Sequence, residues 1–284
     1  MNKPVTIADL FEAKQQKRKI AAVSCYDYTS AKLISCTDVE MVLVGDSAAQ
    51  VMLGFGSTLL ATMDFMVAIT AGVRKGAPNA YLVADMPFLS YQTSITEGIK
   101  NAGRFVTEAT AQMVKIEATE AYLDVIKGVS DAGIAVMAHI GIRPQSINRI
   151  GRFKAEATTA DMAAKLISLA DKMTCAGALS LLLEGTAAEV AEIITKSSKV
   201  PVISCGSGSG CDGQILILPD ILGLDEGVSP KFAKSYSNLA EEIKRAVARY
   251  SQEIKAGKFP DKTHSYHMKL GELEKLKKLL RRKS

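Results

Sequence analysis

The 284-residue chain is 48% hydrophobic and 23% charged, a balance that excludes a disordered protein and supplies one large core, as an α/β barrel or two ordinary domains. Its formal charge of +5 sits in residues 268–284, where seven Lys/Arg face two Glu. The formally neutral body therefore lacks the basic excess of a nucleic-acid-binding surface. No uncharged apolar stretch reaches the ~18 residues of a membrane span, no secretory leader is visible, and five cysteines without a C-x-x-C pair are expected to be reduced thiols of a cytoplasmic protein.

Taken in chain order, Thr6-Ile7-Ala8-Asp9 reads as a helix start with an acid at its third position. Eight short apolar runs then recur: Ile20–Val23, Met41–Val44, Tyr81–Ala84, Met113–Ile116, Ile134–Ala138, Leu179–Leu183, Val200–Ile203 and Ile215–Leu218. Continuous apolar runs of this length suit strands buried on both faces of a parallel sheet. Helical patterns lie between them, over Thr96–Glu108, Ala121–Ala132, Asp161–Ala176 and Ala187–Ser197, and Gly133 and Gly177 stand where a helix C-cap glycine belongs. Eight strands alternating with helices predict an α/β fold, a single (β/α)8 TIM barrel over residues 1–267.

Function is expected at the C-terminal ends of the strands, where the loops share one mouth. Four runs lead into Asp46, Asp85, Glu117 and Glu184, and a fifth into His139. Each acid alone could simply cap the next helix. Four converging on one mouth would repel one another without a cation, and a hard ion such as Mg²⁺ prefers oxygen ligands. Lys115 and Glu117 share a strand face, so Lys115 either pairs with Glu117 or meets a substrate carboxylate. His139 is either structural or catalytic. The glycine-rich Cys205–Cys211 segment either cradles a phosphate or only shapes the mouth. The three histidines are not clustered, which argues against a His-rich zinc site.

Residues 268–284 place Leu270, Leu273, Leu276, Leu279 and Leu280 at helical spacing among lysines and arginines. This tail is expected to be a basic amphipathic helix, separate from the barrel domain, packed on its own barrel or on a subunit neighbour; attachment to a membrane surface is the alternative.

Several segments resemble ketopantoate hydroxymethyltransferases in order and spacing, from about residue 3 to 267. They are Val44-Gly45-Asp46-Ser47, Ala84-Asp85-Met86-Pro87-Phe88, Val114-Lys115-Ile116-Glu117, His139-Ile140-Gly141 with Pro144-Gln145-Ser146, Leu183-Glu184, Cys211-Asp212-Gly213-Gln214, Pro230-Lys231-Phe232 and Phe259-Pro260 with His264-Ser265. The resemblance implies a cytoplasmic enzyme of pantothenate biosynthesis and a homo-oligomer, commonly a decamer. The enzyme would move a hydroxymethyl group from 5,10-methylenetetrahydrofolate to 3-methyl-2-oxobutanoate, giving 2-dehydropantoate. It further implies Asp46, Asp85 and Glu117 at Mg²⁺. Asp46, Ser47, Asp85, Lys115 and His139 would lie at the oxo acid, with Glu184 as the catalytic base.

The chain departs from the family pattern at Gly56, where an acid is usual, Leu60 (proline) and Ile69 (histidine), and also at Ala118-Thr119, Gly185-Thr186-Ala187, Ser204-Cys205 and Pro219. None of these is a proposed metal ligand or base. The alternatives are another Mg²⁺-dependent 2-oxo acid lyase or mutase of the isocitrate lyase and phosphoenolpyruvate mutase type, and a non-catalytic paralogue.

Overall fold

A computed structural model describes residues 3–224, 227 and 230–282. Eight parallel strands close into one barrel, each paired with the next and β8 with β1. They are β1 (Ile20–Ser24), β2 (Met41–Val44), β3 (Tyr81–Asp85), β4 (Met113–Glu117), β5 (Ala135–Gly141), β6 (Ser180–Glu184), β7 (Val202–Cys205) and β8 (Gly213–Ile217). Helix α1 (Ile7–Gln15) precedes the barrel, and α2 (Tyr28–Ile34), α3 (Ala48–Val51), α4 (Met63–Gly76), α5 (Ile95–Ala109), α6 (Leu123–Asp131), α7 (Ile147–Ile150), α8 (Ala160–Cys175) and α9 (Ala188–Ser197) lie in the connections after β1 to β6, two each after β2 and β5. Three more, α10 (Leu218–Leu222), α11 (Leu239–Lys255) and α12 (Glu272–Arg281), come after β8. The expected (β/α)8 fold is the observed one.

Strand periodicity explains how the barrel positions its chemistry. Successive residues point to opposite faces, so along β4 Val114 and Ile116 pack outward toward the helices, while Met113 packs inside the barrel. Lys115 and Glu117 follow Met113 at the same period, as Asp85 follows Tyr81 and Val83, and His139 follows Met137. The barrel interior is therefore apolar at its lower end, formed by Ile20, Met41, Tyr81, Met113, Ile203 and their neighbours. Its polar residues come one step later, at the C-terminal mouth. Leu10 and Ala13 of α1 belong to that lower cluster and plug the far end. The cap of α1 is the expected one: Thr6 accepts from the Asp9 amide, and the Asp9 carboxylate accepts from Thr6 N at 2.7 Å.

Several boundaries differ from the sequence expectation. β5 runs on to Gly141 because its pairing with β6 continues through Gly141↔Glu184, so His139 lies within the strand. β8 begins earlier, at Gly213, which pairs with Ile20 at a closeness that leaves no room for a side chain, and it stops before Leu218 because Pro219 opens α10. Gly133 and Gly177 have φ of +85° and +104°, as C-cap glycines require.

The tail forms a helix over a shorter span than residues 268–284, starting after Gly271, whose backbone is left-handed. None of the residues of α11 or α12 is buried, so α12 does not pack on its own barrel. The five cysteines are free, as expected, but Cys36 and Cys175 are exposed. Among the described residues no helix is long and apolar enough to cross a membrane.

Candidate active site

The strand ends surround a cavity of about 760 Å³ whose lining includes all seven residues singled out in the sequence: Asp46, Ser47, Asp85, Lys115, Glu117, His139 and Glu184. Its volume suits a small-molecule site. Asp85, Lys115, Glu117 and His139 are all less than 5% exposed.

Asp85 ties two strand ends together. Its Oδ2 accepts a hydrogen bond from the Asp46 amide at 2.9 Å, and its Oδ1 lies 2.9 Å from Lys115 Nζ, off the angle of a good hydrogen bond. Lys115 thus pairs with Asp85 on the neighbouring strand, not with Glu117. Lys115 Nζ also sits 3.2 Å from His139 Nδ1, and His139 Nε2 is 3.3 Å from Glu184 Oε2, again poorly aligned. Ser47 Oγ hydrogen-bonds the Tyr26 hydroxyl at 2.8 Å.

Sequence reasoning missed the group that holds the acids in place. Gln145, 5% exposed, donates from Nε2 to Asp46 Oδ2 at 2.9 Å and to Met86 O at 3.0 Å. Its amide N–H is shared by the two Glu117 oxygens at 3.0 and 3.2 Å, and Tyr91 Oη lies 2.9 Å from its Oε1. One side chain and its own backbone thereby reach the ends of β2, β3 and β4. Pro144-Gln145-Ser146 is visible as a motif, but nothing in its spacing assigns the amide to Asp46. Tyr91 leaves no sequence signal.

The electrostatics follow from burial. Three buried carboxyls, Asp46, Asp85 and Glu117, face one buried ammonium, Lys115. Burial, then Asp46, push the Asp85 carboxyl up to about 8 against the opposing pull of Lys115. Burial also drives Glu117 well above the usual carboxylate range. Burial opposes charge on Lys115, but Asp85, Asp46 and Glu117 outweigh it and hold the ammonium protonated. His139 is pushed down, first by burial and then by Lys115, so it is neutral.

This acid excess, with a buried Asp85 oxygen lacking a hydrogen bond, fits a hard cation. Among the described residues no cluster of three or more His, Cys, Asp or Glu is gathered tightly enough to coordinate an ion on its own. Glu117 is turned toward the Gln145 amide. The donor set therefore fits an ion held by few protein oxygens, such as Mg²⁺, which keeps waters and takes oxygen donors from a substrate.

The Cys205–Cys211 loop is tied to the strands it joins: Ser207 N donates to Ser204 Oγ of β7, and Gln214 Nε2 of β8 donates to Gly208 O, both at 2.9 Å. Gly206, at φ +71°, lies against the Phe232 ring, where a Cβ would collide. The loop thus shapes the mouth. Of the departures from the family pattern, Gly56, Leu60 and Cys205 line the cavity.

A (β/α)8 barrel with these charged groups gathered around a cavity at its C-terminal mouth has the architecture of a TIM-barrel enzyme. Residues 4–262 match the family model described as ketopantoate hydroxymethyltransferase, and the chain belongs to that family. Among its similar relatives is the 3-methyl-2-oxobutanoate hydroxymethyltransferase of Clostridium acetobutylicum, 43% identical over 254 residues, covering 89% of this chain and 92% of that protein. The protein of the same name from Caldicellulosiruptor bescii is 45% identical over 266 residues, covering 94% and 100%. A solved structure of phosphonopyruvate hydrolase in complex with oxalate and Mg²⁺ superposes with a TM-score of 0.59 at 12% identity, over 98% of this chain and 97% of that one, which is a likeness of fold.

Proposed function

We propose that this enzyme transfers a hydroxymethyl group from 5,10-methylenetetrahydrofolate to 3-methyl-2-oxobutanoate, water supplying the hydroxyl, giving 2-dehydropantoate and tetrahydrofolate and beginning with removal of the C3 proton. The carrying observation is the conjunction of family membership with the intact set Asp46, Asp85, Lys115, Glu117, His139 and Glu184 around one cavity. Asp46 and Asp85 would hold Mg²⁺, with Glu117 acting through the metal's outer shell. When bound, the ion supplies Lewis-acid stabilisation of negative charge developing on the ketone oxygen.

The chain's own groups divide the remaining work. Lys115 supplies the one buried positive charge beside the acids and binds the substrate carboxylate. Ser47, held by Tyr26, orients the oxo acid. Glu184, with its side chain 20% exposed, is the most open of the acids facing His139 and takes the C3 proton. The cavity is larger than a five-carbon acid needs. Its outer wall of Leu59, Leu60, Ile147, Phe153 and Phe232 leaves apolar room for a second, ring-bearing substrate, which supports the folate donor.

The bare apolar stripe of α11, Ile243, Val247, Tyr250 and Ile254, supports a homo-oligomer, with a decamer as the proposed state. Free thiols, two of them exposed, support a reducing, cytoplasmic setting. The decisive test is incubation with 3-methyl-2-oxobutanoate, Mg²⁺ and methylenetetrahydrofolate, with product identification by mass spectrometry. Conversion of the oxo acid without the folate, or no conversion with it, would remove this reading.

A further inference from the structure

The C-terminal helix α12 carries two faces that no described residue buries. Leu273, Leu276, Leu279 and Leu280 fall within one arc of the helix at the 3, 4 and 7 spacing, and each is at least 40% exposed. Lys278, Arg281 and Arg282 lie on the other side, and Lys275 and Lys277 flank the leucines, one at each border. Glu272 and Glu274 in the first turn pair with Lys275 and Lys277 at 2.7 and 2.8 Å and sit at the positive end of the helix dipole. Among the described residues Lys269, Lys278, Arg281 and Arg282 have no carboxylate partner. The matched family span ends at residue 262, so this helix lies outside what the family model describes.

The two faces narrow the choice of occupant. A nucleic acid would neutralise the basic face and leave four leucines in water. A second copy of α12 would cover the leucines, but a helix over Glu272–Arg281 is far shorter than the three or more heptads that a coiled coil needs, and its like-charged faces would approach one another. A lipid surface of negative charge covers both at once. The leucines enter the acyl boundary while the flanking lysines extend their stems over it and keep their heads among the phosphates. The neutral body gives such a surface little else to attract, so the charge of the chain is concentrated where the leucines are.

We propose that residues 268–282 form a peripheral docking element for an anionic lipid surface, lying in the plane of the headgroups. A single helix this short attaches weakly and reversibly; in an oligomer, several tails presented together multiply the attachment. Attachment is separate from catalysis, because none of these residues lines the active-site cavity.

The test uses the full chain with vesicles of phosphatidylglycerol and phosphatidylcholine in equal parts, and with phosphatidylcholine alone, read by flotation. The full chain is expected to float with the anionic vesicles and stay behind with the neutral ones. Truncation after His267, and the double variant L276E/L280E, should each cut the floated fraction by about tenfold, as loss of multivalent anchoring predicts. The triple variant K278E/R281E/R282E and an increase to about 0.5 M salt should do the same, since both remove the charge attraction. Turnover by the truncated protein in solution should match that of the full chain. Failure of the full chain to float, equal flotation of the truncated chain, or equal binding to neutral vesicles overturns the proposal. So does a fall in oligomeric mass on truncation without vesicle binding, which would assign the helix to a second copy, or retention of the tail only by an acidic protein surface.

Discussion

Lys115 Nζ lies 3.2 Å from His139 Nδ1, and this contact sets the state of the imidazole. An ammonium only donates, so Nδ1 accepts and the ring proton sits on Nε2, whose nearest acid oxygen is Glu184 Oε2 at 3.3 Å. Burial first and Lys115 second push this histidine below its ordinary value of 6.5. Nitrogen-15 NMR of the labelled enzyme should find His139 neutral at pH 7.5, protonated on Nε2. An imidazolium signal at that pH, or a proton on Nδ1, would break the Lys115–His139–Glu184 arrangement described above.

The buried acids make the metal-free protein sensitive to alkali. A carboxyl raised from about 3.9 in the unfolded chain to about 8 at Asp85 means that the folded state holds the proton longer. Stability therefore falls as pH rises between those values and levels off above the upper one. His139 acts in the opposite sense below 6.5, where the unfolded chain takes a proton that the folded chain refuses, so acidification there also costs stability. The clean window is pH 6.5 to 8. In chelator, the melting temperature should decline across it. Mg²⁺ should bind more tightly as pH rises and release protons on binding, which calorimetry in buffers of different ionisation enthalpy would detect. A flat melting profile with proton-neutral binding would count against ionisation of this cluster on metal loading.

The Gln145–Asp46 contact predicts a residue that acts without touching substrate. Gln145 Nε2 fixes Asp46 Oδ2 at 2.9 Å and leaves the other oxygen for an ion. Gln145→Ala should weaken Mn²⁺ or Mg²⁺ affinity by about 10–100-fold, the usual effect of losing an outer-shell partner. Tyr91→Phe keeps the ring but removes the hydroxyl against Gln145 Oε1, and should produce a smaller loss in the same direction. Unchanged ion affinity in a folded Gln145→Ala protein would assign the amide to packing alone.

Much of this site was legible because strand periodicity is rigid. Once Met113–Ile116 is read as a strand, Lys115 and Glu117 must share a face, and the barrel makes that face the inner one, as it does for Asp85 and His139. The choice between partners was not legible. Lys115 and Glu117 are neighbours in sequence, yet the β3–β4 register sets Asp85 opposite Lys115 and decides the pair. Gln145 and Tyr91 were missed for a similar reason: one sits in a short 3-10 turn after β5 and the other in the connection after β3, and the paths of such connections depend on tertiary contacts that no local spacing encodes. The basic helix at the C-terminus was readable from its leucine spacing, but amphipathicity says only that a face seeks cover, and the barrel does not provide it.

Glu184 should be the general base and not a metal ligand. In the eight-strand ring β6 lies opposite β2, so Glu184 approaches the cavity from the side facing Asp46. Its partner there is His139, and Lys115 stands between His139 and Asp85, one of the acids proposed to hold the metal. A chelated oxo acid gripped on the Asp46 and Asp85 side would present its C3 toward β6. Glu184→Gln keeps the shape of the side chain and replaces the basic oxygen with an amide. The variant should bind Mg²⁺ and 3-methyl-2-oxobutanoate with little change, while exchange of the C3 proton with deuterated water falls by about 10²–10⁴-fold, the contribution of a positioned base. Full turnover should fall by the same factor, because the transfer step needs the carbanion that exchange reports. A parallel loss of metal affinity would place Glu184 in the coordination sphere. Exchange at the wild-type rate would mean that another group takes the proton; the neutral His139, 3.3 Å away, would be the next residue to replace.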